Sequence, residues 1–171
     1  MLLKNYMNLK VGCFGLVDTR LVGRCGLYCG ACGIYRPYKD NGDYLKRLAA
    51  HFKCPPEKVR CEGCQALTPN CWGYKCKIVQ CLRAENLEFC YQCKQYEEHS
   101  CEKFENLANP YLEENGVDLR ANLERIRKGE AEIKVWLKES EEKFRCSKCG
   151  KPLPTGSFRS KCYHCNAVLS R

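Results

Sequence analysis

Cysteines recur in this chain as close pairs: Cys61-Glu-Gly-Cys64, Cys90-Tyr-Gln-Cys93, Cys146-Ser-Lys-Cys149 and Cys162-Tyr-His-Cys165. That spacing limits what the chain can fold into. A gap of two residues is poor for joining separate pieces of chain by a disulfide. It suits two thiolates that grip one ion. Seventeen of the 171 residues are cysteine. Such density belongs either to a secreted disulfide scaffold or to an intracellular metal protein. Residues 1–23 lack the continuous apolar run of a signal peptide, being interrupted by Lys4, Asn5, Asn8, Lys10, Asp18 and Arg20. No stretch approaches the roughly 20 apolar residues of a membrane span. The expectation is a cytoplasmic protein with no membrane segment, held together by thiolate-bound metal.

The formal charge of +9 counts every cysteine as a neutral thiol. A divalent ion with four thiolates sums to −2, so four such sites would leave roughly +1. The basic balance is therefore weak evidence for a nucleic-acid partner. Its distribution says more. Residues 143–171 hold seven Lys or Arg and no acid, whereas residues 102–142 hold eleven acids against seven bases.

Four segments follow from these shifts. Residues 1–23 carry no ligand pattern, and Cys13 lies there alone. Residues 24–107 form a cysteine-rich body, 108–145 a helical connector that packs on it, and 146–171 a zinc ribbon. Within the body, Leu45, Leu48, Ala49 and Phe52 share one face of a helix over Asp43 to Phe52, which Cys54-Pro55-Pro56 ends. Shorter helices are expected over Cys76 to Asn86 and Gln92 to Leu107. In the connector, Asn109-Pro110 reads as a helix start and Asn115-Gly116 as a stop. Asp118 caps a helix over Leu119 to Lys128, Gly129 interrupts, and Glu130 to Phe144 carries an Ile133, Trp136, Leu137, Phe144 stripe. The expected class is α+β: short helices on a metal-stabilised scaffold, with a hairpin in the ribbon.

The ribbon is the sharpest local signal. Cys146, Cys149, Cys162 and Cys165 form two Cys-x-x-Cys turns separated by twelve residues. Gly150 and Asn166, which follow the pairs, are the residue types that best tolerate the left-handed backbone such turns need. Two facing turns complete a tetrahedral four-thiolate site, with Pro154 and Gly156 turning the hairpin between them. Four cysteines fill that shell, so His164 is expected to be a surface residue. Lys148, Lys151, Arg159 and Lys161 are available to phosphate.

The body holds twelve more thiols: Cys25, Cys29, Cys32, Cys54, Cys61, Cys64, Cys71, Cys76, Cys81, Cys90, Cys93 and Cys101. They suffice for three further four-thiolate sites, up to four zinc ions in all. Cys54 and Cys71 belong to no close pair and are the readiest to be spare. Spacing does not settle which cysteines share an ion. His51 and His99 are isolated and read as surface residues.

Arg24-Cys25-Gly-Leu-Tyr-Cys29-Gly-Ala-Cys32-Gly-Ile-Tyr35, Cys61-Glu-Gly-Cys64, Cys76-Lys-Ile-Val-Gln-Cys81 and Phe89-Cys90-Tyr-Gln-Cys93 resemble the DUF3795 family over roughly residues 24–105. These are cysteine-rich prokaryotic proteins of uncharacterised function. The resemblance implies metal binding, with zinc the expected metal, and brings no established reaction. Family members commonly place a proline before the last cysteine; here Ser100 precedes Cys101.

Cys25-x3-Cys29-x2-Cys32 is also the spacing that holds a [4Fe–4S] cluster in radical S-adenosylmethionine enzymes. No strand–helix repeat follows it to build their barrel. Iron–sulfur clusters elsewhere also take four cysteines, so [4Fe–4S] at one or more body sites is the alternative to zinc. The leading expectation is a non-catalytic zinc-binding module for a protein or nucleic-acid partner, contacted through the basic residues of 143–171. An iron–sulfur accessory protein and a metal-dependent enzyme with an open zinc position are the alternatives. No small-molecule substrate is identifiable.

Overall fold

The structure, a computed structural model, describes residues 18–155 and 160–169. Cys13, Gly156 and Arg159 lie outside the described residues. The described chain is helical, with α1 at Tyr35–Asp40, α2 at Asp43–His51, α3 at Lys77–Ala84, α4 at Lys94–Glu97, α5 at Glu102–Asn115, α6 at Leu119–Arg127 and α7 at Glu130–Lys143. Short 3-10 turns link them.

The expected α+β class is corrected: no strand forms among the described residues. Only isolated bridges occur, Val22 with Tyr28, Arg145 with Pro152, and Lys161 with Val168. The last two lie in the C-terminal segment, where each tight cysteine turn returns the chain for a single rung. In the first of these, the Cys146 amide donates to the Lys151 carbonyl and the Leu153 amide to the Phe144 carbonyl, but the Phe144 amide is taken by the Ser140 carbonyl at the end of α7, so the pairing goes no further.

Where local chemistry is strong, the helices follow it. α2 buries Leu45, Leu48 and Ala49 against Val59, and α3 buries Ile78, Val79 and Leu82. Asp118 caps α6 by accepting from the amides of Arg120 at 2.9 Å and Ala121 at 3.0 Å. Gly116, in the left-handed region at φ 61°, ends α5. Two expectations are corrected here. The helix over Gln92 to Leu107 splits into α4 and α5, because His99 turns the chain at φ 53°. Pro110 does not start a helix but lies inside α5. Both Pro110 and Asn106, whose carbonyl it leaves without a helical partner, are exposed. Water can satisfy that carbonyl, while Phe104 and Ala108 on the opposite face are buried and keep the helix in place. α1, with Pro37 inside it, has no amphipathic period that would announce it.

One apolar cluster joins the first loop to helices from the rest of the chain. Leu27, Tyr28 and Ala31 pack with Ile78 and Leu82 of α3, Phe104 and Ala108 of α5, Leu119, Leu123 and Ile126 of α6, and Trp136 and Leu137 of α7. The Tyr28 ring meets Trp136 edge-on at 6.3 Å and stacks on Phe144 at 6.2 Å. A polar thread pins the same junction: Asn122 Nδ2 donates to the Gly26 carbonyl at 2.9 Å, and Trp136 Nε1 donates to Asn122 Oδ1 at 3.0 Å. Gly26 sits at φ 85°, and a Cβ there would lie 2.4 Å from the Leu119 carbonyl oxygen.

Gly26→Ala is therefore expected to cost about 1–3 kcal/mol from backbone strain alone, with the Leu119 clash in addition. A denaturant titration followed by Trp136 fluorescence checks this, and a midpoint unchanged from the parent would contradict the packing described.

Candidate metal centre

The C-terminal cysteines are built into two matching turns. In the first, the Lys148 amide donates to Cys146 Sγ at 3.4 Å, and the Gly150 amide closes on the Cys146 carbonyl at 2.8 Å. In the second, the His164 amide donates to Cys162 Sγ at 3.4 Å, and the Asn166 amide closes on the Cys162 carbonyl at 2.8 Å. Gly150 and Asn166 adopt the left-handed backbone expected of them, at φ 69° and 58°. The turns face each other, so that Cys146 Sγ lies 3.8 Å from Cys165 Sγ and Cys149 Sγ lies 3.8 Å from Cys162 Sγ. All four sulfurs fall within 4.8 Å of one another. A tetrahedral ion with bonds of about 2.3 Å to sulfur requires sulfurs about 3.8 Å apart. The group can hold a metal ion. Backbone amides of Cys149 and Lys148 pull the Cys146 thiol down to about 6, so its thiolate is available at neutral pH.

This centre is docked on the body. Cys146 and Cys162 are buried with Leu153, while Cys149 and Cys165 are exposed. Tyr163, between the second pair of cysteines, stacks on Tyr44 of α2 at 4.9 Å and donates its hydroxyl to Asp40 at the end of α1. Asp40 also pairs with Arg36 at 2.8 Å and lies 3.5 Å from His164 Nε2. Further along, the Thr155 amide donates to the Ala31 carbonyl at 2.6 Å. His164 also lies 3.2 Å from the Pro152 carbonyl. It belongs to this joint, half-buried, rather than to the open surface. Sequence spacing gave no sign of Asp40 or Tyr44, because the contacts span more than 115 residues.

The body cysteines form looser neighbourhoods. The Cys64 amide donates to Cys29 Sγ at 3.4 Å, and the Ile34 amide to Cys32 Sγ at 3.5 Å. A hydrogen bond from Cys29 and the adjoining Arg24 hold the Cys64 thiol down to about 7. Burial pushes Cys25 and Cys32 up. Cys25, Cys29, Cys32 and Cys64 thus act on one another. Cys81, Cys90, Cys93 and Cys101 instead line one cavity, where Lys103 Nζ donates to Cys81 Sγ at 3.6 Å. Cys76, exposed at the start of α3, acts on members of both groups. Cys61 neighbours Cys71, whose sulfur accepts from the Thr68 amide at 3.5 Å. Cys54 packs with the small apolar cluster of α2. Among the described residues, the C-terminal four are the set whose ligand atoms close to within 4.8 Å. His51 packs edge-on to Phe52 and His99 occupies the α4–α5 turn.

No described helix is long and apolar enough to cross a membrane. No curated protein and no solved structure matches the chain. The family model of a protein of unknown function, DUF3795, matches residues 21–106. That span covers half of the chain, including all twelve body cysteines and the loop that Gly26 and Tyr28 join to the core. The chain belongs to the DUF3795 family.

Proposed function

We propose that Cys146, Cys149, Cys162 and Cys165 bind one Zn²⁺ as a zinc ribbon, and that the protein is a non-catalytic interaction module whose ribbon meets a macromolecular partner. The 3.8 Å separations across the two turns carry this reading. They match the edge of a tetrahedral zinc–thiolate site, and four thiolates leave no coordination position for a substrate. Thiolate ligands need a reducing compartment, which supports a cytoplasmic location.

The partner surface follows from how the ribbon is docked. Asp40 and Tyr44 hold one side of it. Lys148, Lys151 and Lys161 are exposed, and none forms an ion pair among the described residues. Arg145, in contrast, is paired with Glu141. Unpaired lysines beside a rigid metal turn suit phosphate oxygens or an acidic protein face. Val168, 74% exposed, adds an apolar contact on the same segment.

Cys149→Ser is expected to lower bound zinc by one ion per chain, measured by elemental analysis. It should also remove hydrogen-exchange protection from residues 146–155 and 160–169 while leaving α6 and α7 protected. Unchanged zinc content would refute the ribbon. For the partner, binding to a labelled oligonucleotide should weaken steeply with salt. Changing Lys148, Lys151 and Lys161 together to Glu should abolish it. Salt-insensitive or absent oligonucleotide binding, with zinc intact, turns the assignment to a protein partner.

A further inference from the structure

We infer that Cys81, Cys90, Cys93 and Cys101 hold an iron–sulfur cluster of the four-iron, four-sulfide size in the cavity they line, with Lys103 hydrogen-bonded to the sulfur of Cys81. This goes beyond the zinc ribbon and does not depend on it.

The four cysteines line the cavity from different elements. Cys81 comes from α3, Cys90 from the 3-10 turn Cys90–Gln92, Cys93 from the residue capping α4, and Cys101 from the residue capping α5. Between them the wall is mostly apolar, made by Ile78, Leu82, Leu87 and Tyr96, and its two charged residues, Glu85 and Lys103, are of opposite sign. A cluster fits such surroundings, since its charge is spread over many atoms and water degrades it. The spacing points the same way. In the C-terminal centre all four sulfurs close to within 4.8 Å, whereas no three sulfurs of this cavity do so. A single tetrahedral ion needs all of its sulfurs about 3.8 Å apart. A four-iron cluster carries each cysteine sulfur one iron further from the centre, on a tetrahedron with an edge of about 6.4 Å. Four cysteines that line one cavity without closing to single-ion distances therefore suit the larger group.

Lys103 gives the site a second mark. Its ammonium donates to Cys81 Sγ at 3.6 Å and lies in the first turn of α5, the helix that Cys101 caps. Hydrogen bonds and positive charge at cysteine sulfurs stabilise the reduced cluster and raise its reduction potential.

The test uses the full chain purified anaerobically. About four irons and four acid-labile sulfides per chain, with a broad absorption near about 400 nm, are expected from this site. Cys93→Ser should lower iron by about four per chain and leave the ribbon zinc in place. Cys149→Ser should do the reverse, so loss of the ribbon and loss of the cluster are read separately. If Cys93→Ser does not fold, the unaltered chain stripped of metal and treated anaerobically with ferrous iron and sulfide should regain the iron and the colour. Lys103→Met should keep the cluster loaded but shift its reduction potential downward. Failure of the unaltered chain to take up iron and sulfide, or full iron retention in a folded Cys93→Ser protein, would overturn the inference.

Discussion

A sulfur-to-sulfur distance of 3.8 Å, repeated across two Cys-x-x-Cys turns, is the constraint on which the C-terminal part of the molecule rests. Four thiolates brought that close repel one another unless a cation lies between them. The backbone around them is already organised: amides point at the sulfurs, and Gly150 and Asn166 absorb the reversal of direction. Few apolar side chains are needed once the sulfurs are tied. Leu153 is the main buried aliphatic residue beside Cys146 and Cys162. The same turn that brings the sulfurs together presents Tyr163 to Asp40 and Tyr44, so the geometry of the four-cysteine group is coupled to how the segment sits on α1 and α2.

The remainder of the molecule is held in a second way. The cysteine-rich stretch contains short helices that bury little by themselves, and α5, α6 and α7 supply what it lacks. Phe104, Leu123, Ile126 and Trp136 close over Leu27, Tyr28 and Ala31. Burial of side chains of this size contributes about 1.5–3 kcal/mol each. Order in the body therefore has two sources: an apolar cluster shared with the helices that follow, and sulfur neighbourhoods that adjoin it, with Cys90 inside the cluster and Cys25, Cys32 and Cys101 packed against it. Ion pairs between helices, such as Arg125 with Glu132 and Glu139, are partly exposed and add little beyond orientation.

Features governed by a few adjacent residues were legible in the sequence. The apolar face of α2, the Asp118 cap, the Gly116 stop and the left-handed Gly150 and Asn166 all depend on residues within one or two turns of each other. That the four C-terminal cysteines form one group was legible for the same reason, since each half is a self-contained turn. The α+β expectation failed because a hairpin was inferred from turn residues, whereas α7 runs up to Lys143 and takes the Phe144 amide that a second pair of rungs would need. The reading of Pro110 as a helix start failed because a proline on the solvent side of a helix anchored by Phe104 and Ala108 is tolerable, and only the packing shows which side it occupies. Which body cysteines are neighbours was not legible at all. Cys29 meets Cys64, and Cys81 and Cys101 line one cavity, through tertiary folding, to which local spacing is blind.

Seventeen cysteines in one chain make sense if most serve as metal ligands, and the four at the C-terminal end are where geometry speaks most clearly. X-ray absorption at the zinc edge of the purified protein addresses that centre directly. The account predicts a shell made of sulfur alone, four atoms at about 2.3 Å. A shell containing nitrogen or oxygen, or the absence of zinc from protein prepared without chelators, would contradict it.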